Sequence, residues 1–162
     1  MTLDAVVLGR LAEWRPDRGR QTLNVPDEGA GWAVCVTADR ADELGCLAWE
    51  LAVRRSEPLA GGDAQALRAW GDRIAARARG LLETLKVVEV DAERDEAILR
   101  SDTPAAKGED RFYYEVHLKG AGSASVRRYQ GSLAGTGKRE QIAFALTHEA
   151  LARLAADLTA EK

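Results

Sequence analysis

Apolar residues in the first stretch of the chain, TLDAVVLGRLAEW, recur at helical spacing as Leu3, Val6, Val7, Leu11 and Trp14. This pattern predicts a short amphipathic helix over about 3–14. Pro16 ends it, because the proline ring lacks an N–H and clashes with the preceding turn. Two strand-like runs, QTLNV and GWAVCVT, flank Pro26-Asp27-Glu28-Gly29-Ala30. They predict an N-terminal hairpin over about 21–37. In the following ADRADELGCLAWELAVRRS, Ala41, Leu44, Leu47, Ala48 and Leu51 share one helical face, which Cys46, Trp49 and Val53 widen. A well-buried helix is expected over about 39–55. Pro58 and Gly61-Gly62 close it, and Asp63 is placed to cap a further helix over about 63–84. There Leu67, Trp70, Ile74, Ala78, Leu81 and Leu85 oppose Arg68, Arg73, Arg77 and Arg79, which read as a solvated face.

From Lys86 the period changes to two. The runs KVVEV, EAILRS, DRFYYEVHLKG, SASVRRYQG and REQIAFAL predict an antiparallel meander of about five strands over roughly 86–146. A last helix is expected over about 148–160, with Thr147 as its N-cap and Leu146 packing on Leu151. The class is therefore α+β, in one domain spanning 1–162. SEPLAGGD is the one candidate joint, between an N-terminal lobe at 1–57 and a helix–meander–helix lobe at 63–162. It is too short to imply independent domains.

One register follows from the pattern. Phe112, Tyr114, Val116 and Leu118 share a face that should be core, while Arg111, Tyr113, Glu115, His117 and Lys119 share the other. A three-residue loop, Gly120-Ala121-Gly122, sets Lys119 opposite Ser123 and Val116 opposite Val126. Glu115 then meets Arg127 and Tyr113 meets Tyr129 on the outer face. Arg128 is the misfit, since it falls on the core face beside Val126. Either its stem snorkels at the sheet margin or a bulge resets the alternation.

Composition narrows the functional classes. With 162 residues, 46% hydrophobic and 30% charged, the chain is of globular type. Its 23 basic residues against 26 acidic ones, interspersed to a net charge of -3, give no global basic field for nucleic acid. Cys35 and Cys46 have no metal-ligand or CxxC spacing and read as buried free thiols. The N-terminus has neither signal-peptide character nor a run long enough to span a bilayer, so a cytoplasmic protein with no membrane partner is expected. Arginine- and alanine-rich helices with few lysines suit a high-GC bacterial genome.

The stretch GSLAGTGKREQIAF resembles a phosphate loop only at Gly137-Lys138. The first glycine of that motif would stand where Ser132 does, and the hydroxyl after the lysine is replaced by Arg139. A strand rather than a helix N-terminus is expected to follow, so the stretch reads as a loop whose lysine and arginine face water. His117 and His148 lack convergent ligands, and Asp91, Glu93, Asp95 and Glu96 lack the calcium-loop ladder. Neither a metal nor a cofactor is expected, and no catalytic residue is assigned.

The outer strand face carries the one candidate site: Arg111, Tyr113, Glu115, His117, Arg127 and Tyr129. Aromatic and basic groups on a sheet are the combination that stacks and charge-pairs with single-stranded nucleic acid. They also stabilise ordinary sheets as cross-strand pairs. The leading expectation is a non-catalytic interaction or accessory domain with a protein partner or a second copy of itself, given a full core and no convergent nucleophile, base and oxyanion donor. Nucleic-acid binding through the outer face is the alternative. A small-molecule binder or enzyme with a pocket built from distant residues is the third.

Overall fold

In the computed structural model, which describes residues 1–57, 63–132 and 138–161, alternation in the second half of the chain does produce strands. The helices are α1 (Leu3–Glu13), α2 (Ala64–Arg77) and α3 (His148–Thr159). The strands are β1 (Gln21–Val25), β2 (Trp32–Ala41), β3 (Gly45–Arg55), β4 (Leu85–Asp91), β5 (Glu96–Ser101), β6 (Ala105–Lys107), β7 (Asp110–Lys119), β8 (Ser123–Ser132), β9 (Glu140–Ile142) and β10 (Phe144–Thr147). All pair antiparallel in one sheet with the order β1-β2-β3-β8-β7-β5-β4. Strands from both halves of the chain meet where β3 pairs with β8 through Leu51–Arg54.

The architecture is the expected α+β one, with a meander in β4, β5, β7 and β8. The β7–β8 register is the one the sequence sets: Lys119 faces Ser123, Val116 faces Val126, Glu115 faces Arg127 and Tyr113 faces Tyr129. Gly120 takes φ +59 in the loop, the left-handed conformation that glycine accepts without steric cost. Arg128 stays in register on the core side without a bulge. Its guanidinium lies 4.3 Å from the Tyr114 ring centroid and 2.9 Å from Glu83, so a marginal charge is paired rather than merely snorkelled.

Three expectations are corrected. Residues 39–55 form no helix: they belong to the end of β2, a turn and β3. The reason is a bulge. Thr37 pairs with Glu50 while Ala38 pairs with Ala48, so Trp49 is an extra residue on β3 and the inward positions run Cys46, Ala48, Leu51, Val53. That spacing, with one step of three, imitates a helix. The helix expected to run from 63 to 84 ends at Arg77, and Leu82, at φ +62, lies in the connection to β4. Leu81 and Leu85 are still buried, but from outside the helix.

The third correction concerns the run from Glu140 to Thr147, which is two strands and not one. β9 climbs beside β8, pairing Ile142 with Arg128, and β10 returns beside β3, pairing Phe144 with Ala48. The reversal falls at Ala143, and the V fills the fork where β3 and β8 part. Gln141 donates to the Trp49 carbonyl at 2.9 Å, which satisfies a backbone acceptor at the bulge.

One face of the sheet carries Val34, Val36, Leu51, Val53, Leu99, Val116 and Leu118, all at or below 2% exposure, and receives the helices. α1 packs on α3 and β1, α3 on β3 and β10, and α2 on β4 and β5. Asp63 and Thr147 cap α2 and α3 as expected, accepting from Ala66 N at 2.8 Å and Ala150 N at 3.0 Å. Trp70 joins α2 to α3 by donating from Nε1 to the Leu158 carbonyl at 2.9 Å. No described helix is long and apolar enough to cross a membrane.

Candidate functional site

The opposite face of the sheet is polar, and the strand period places all six candidate residues on it. Glu115 sits at its centre and is only 6% exposed. Arg100 on β5 donates to its Oε2 at 2.9 Å. Arg139, just before β9, donates to both carboxylate oxygens: Nη1 to Oε2, and Nη2 to Oε1 at 3.2 Å. Burial alone would raise the Glu115 pKa, but the hydrogen bonds from Arg139 and Arg100 outweigh it and hold the group below the ordinary carboxylate range. Its charge is fixed and both oxygens are occupied, the opposite of what a general base working near neutral pH requires.

The aromatic pair is present but covered. Tyr113 and Tyr129 lie with ring centroids 6.0 Å apart at 30°, and the Arg139 guanidinium rests 3.8 Å from the Tyr129 centroid. Tyr129 is 9% exposed as a result. Arg127 donates to Glu50 on β3 at 2.6 Å. The His117 Nε2 is 3.6 Å from a Glu96 oxygen, and Glu96 also receives Lys119 at 3.4 Å. Arg111 is exposed and has no ion-pair partner among the described residues. The face is therefore largely neutralised from within. Arg139, expected to face water, instead closes the network. Arg100 and Glu50 also escaped the sequence reading, although the outward parity of Arg100 in EAILRS was available to find it. Of the supposed phosphate loop, 133–137 lies outside the described residues, and Lys138 is exposed.

Two cavities flank Arg139. One, of about 260 Å³, is bounded by Ile98, Glu115, His117, Ser125, Arg127 and Tyr129. The other, of about 320 Å³, brings Arg111 and Tyr113 together with Arg100, Ser101 and Pro104. It exists because β7 loses its neighbour there: β5 ends at Ser101 and β6 begins only at Ala105. The backbone N–H of Tyr114, left without a strand partner, donates to Ser101 Oγ at 2.9 Å.

A different surface lies at the end of the sheet where β2 turns into β3. An open groove of about 560 Å³ runs along Ala41, Leu44, Cys46, Leu47, Ala145 and Leu146, with Arg40 and Asp42 at its margin. Leu44 is 73% exposed and Leu47 37%. The turn presenting Leu44 is held from three sides. Asp42 Oδ1 accepts from Leu44 N at 2.8 Å and Gly45 N at 2.9 Å, and the Leu44 carbonyl accepts from His148 N at 2.9 Å. Gly45 permits the closest approach in this region, since a Cβ there would stand 2.6 Å from the Leu146 carbonyl oxygen. Cys46 beneath the groove is 4% exposed; burial, aided by Asp42, pushes its thiol up to about 11, so it stays protonated and unreactive near neutral pH.

Among the described residues no group of three or more histidine, cysteine, aspartate or glutamate side chains is disposed to hold a metal ion. Two of the four acids at the β4–β5 turn serve locally: Asp91 Oδ1 accepts from the Glu93 and Arg94 amides, and Glu96 accepts from Lys119 at 3.4 Å. No protein-family model, curated protein or solved structure matches this chain.

Proposed function

We propose that this chain is a protein-docking module that receives an apolar segment of a partner in the groove at the β2–β3 end of the sheet. The observation that carries the reading is Leu44, a large apolar side chain held 73% exposed by a turn whose backbone groups are hydrogen-bonded on both sides. An exposed leucine on a fixed turn costs little further entropy when it is covered. Burying such a side chain contributes about 1.5–3 kcal/mol. Leu47 and Leu146 extend the contact, and the groove is large enough for more than one partner side chain.

The margin suggests the partner's charge. Asp42 is committed to its turn, whereas Arg40 is exposed and has no ion-pair partner among the described residues. A segment with apolar anchors followed by an acidic residue fits both. The outer face is a weaker candidate for nucleic acid, because Arg127 is engaged by Glu50, Arg100 and Arg139 by Glu115, and the ring of Tyr129 is already covered.

Selection from a displayed library of random peptides tests the reading. Enriched peptides should share apolar anchors with an adjacent Asp or Glu, and should lose binding to Leu44→Ser with Leu47→Ser and to Arg40→Glu. Peptides that bind the double leucine variant as well as the parent overturn it, as does a library with no enrichment. A dimer in light scattering that dissociates in the double variant assigns the groove to a second copy instead.

A further inference from the structure

The groove leaves unexplained why three guanidiniums surround the cavity between β5, β6 and β8. Arg100, Arg111 and Arg139 line it with Tyr113, Ser101, Pro104, Gly131 and Ser132, and no carboxylate is among the lining residues. Glu115 alone neutralises two of the three, and it does so from outside the cavity. The three positive charges thus exceed the one carboxylate by two. Asp102, in the connection that leaves the sheet here, is turned to Lys86 at 3.2 Å. Arg100 spends its Nε on Glu115, its two terminal nitrogens meet no carboxylate among the described residues, and Arg111 has its whole fork free of ion pairs among them.

We infer that this cavity is a binding site for a small phosphate monoester, held by Arg100, Arg111 and Arg139 with Tyr113 as an aromatic wall. A phosphate monoester carries about -1.5 to -2 charges near neutral pH, which matches the excess. Guanidinium forks bond its oxygens in pairs, a geometry a lysine cannot offer. Arg139 reaches the Tyr113 hydroxyl with Nη1 at 3.4 Å, and the Arg100 guanidinium is 6.0 Å from the Tyr113 ring centroid, so the cationic and aromatic parts belong to one wall. A volume of about 320 Å³ lies at the small end of ligand pockets, suited to a monoester of modest size and not to a polymer. Glu115 is then a positioning residue: it sets the two guanidiniums at the rim and touches no ligand.

Calorimetry at low salt with phenyl phosphate, inorganic phosphate and oligothymidylates of increasing length tests this in the intact chain. Phenyl phosphate should bind saturably at one site, more tightly than inorganic phosphate because of Tyr113, and more weakly as salt rises. Arg111→Gln, an exposed position that should not disturb folding, should weaken it about tenfold or more. Arg54→Gln, another exposed arginine on the same face but outside the cavity, should leave it unchanged. No saturable binding of phenyl phosphate overturns the inference, as do equal losses in the two variants. Affinity for oligothymidylate that grows with length and exceeds that for phenyl phosphate assigns the face to a nucleic-acid strand instead.

Discussion

Arg139 closes on both carboxylate oxygens of Glu115 across 24 residues of sequence while its guanidinium lies 3.8 Å from the ring centroid of Tyr129. One side chain thereby neutralises the most buried charge of the outer face and covers its most buried aromatic ring.

Glu115→Gln should therefore destabilise the fold, by about 1–3 kcal/mol for hydrogen bonds to a charged group. The lower end is expected because Arg139 and Arg100 are 39% and 42% exposed and solvent screens part of the attraction. Arg139→Gln should cost less, since Arg100 still serves the carboxylate. The folded pKa of Glu115 is depressed, so its contribution is present above the unfolded value of about 4.3 and is lost as pH falls through the folded one. Urea midpoints measured from about pH 7 to about pH 3 should show the parent losing its advantage over Glu115→Gln at the acid end. An advantage that stays constant over that range would contradict the assignment.

The sequence made the β7–β8 pair legible because its alternation is unbroken and the loop Gly120-Ala121-Gly122 fixes the register. That was enough to gather six outer-face residues. It could not reveal Arg139, which follows a loop and precedes a three-residue strand, so no period ties it to Glu115. β3 is not legible in the sequence for a physical reason: the bulge at Trp49 changes an inward step of two to one of three, and residues 46–53 acquire helical spacing. The same helix-like spacing hides the groove. In a helix Leu44 and Leu47 belong to the buried stripe, whereas on the β2–β3 turn and the outward side of β3 they face solvent.

Gly71 is a helix-interior glycine that allows α2 to approach the sheet. A Cβ there would stand 2.8 Å from Val87 Cγ2, on a β-branched side chain with little freedom to move aside. Gly71→Ala gains about 1 kcal/mol in helix propensity, against an overpacking cost of about 1–3 kcal/mol. The net change should be destabilising. Gly71→Ala combined with Val87→Ala should cost less than the two single changes added together, a coupling that a double-mutant cycle of denaturation midpoints reads directly. Simple additivity would mean that the helix shifts without resistance.

The two thiols should differ sharply in alkylation. Cys35 is half-buried and its Sγ donates to Asn24 Oδ1 at 3.1 Å, whereas Cys46 is 4% exposed with its thiol pushed up to about 11. Iodoacetamide at about pH 8 should modify one cysteine per native chain, and peptide mapping should place it at Cys35. In a Cys35→Ser variant, labelling of Cys46 should follow the rate of structural opening and rise with sub-denaturing urea. Prompt labelling of Cys46 without denaturant would mean that the groove opens further than its geometry indicates.

Asp157 gives the opposite pH response to Glu115. It lies on α3, 7% exposed; burial raises its pKa, opposed by Arg153 at 3.5 Å and by the charge of Arg77. Arg153 is itself 74% exposed and so repays little of the desolvation. A folded pKa above the unfolded one means that the fold favours the protonated acid, so stability from this group is full below about 3.9 and is lost as pH rises through the folded value. Asp157→Asn keeps the shape and removes the charge. It should stabilise the protein by about 0.5 kcal/mol or more at neutral pH, with the gain shrinking toward acid pH. A loss of stability at neutral pH would show that the Arg153 and Arg77 charges outweigh burial. In the parent chain Glu115 and Asp157 pull the stability curve in opposite directions, so only the paired variants, measured over the same pH range, separate their slopes.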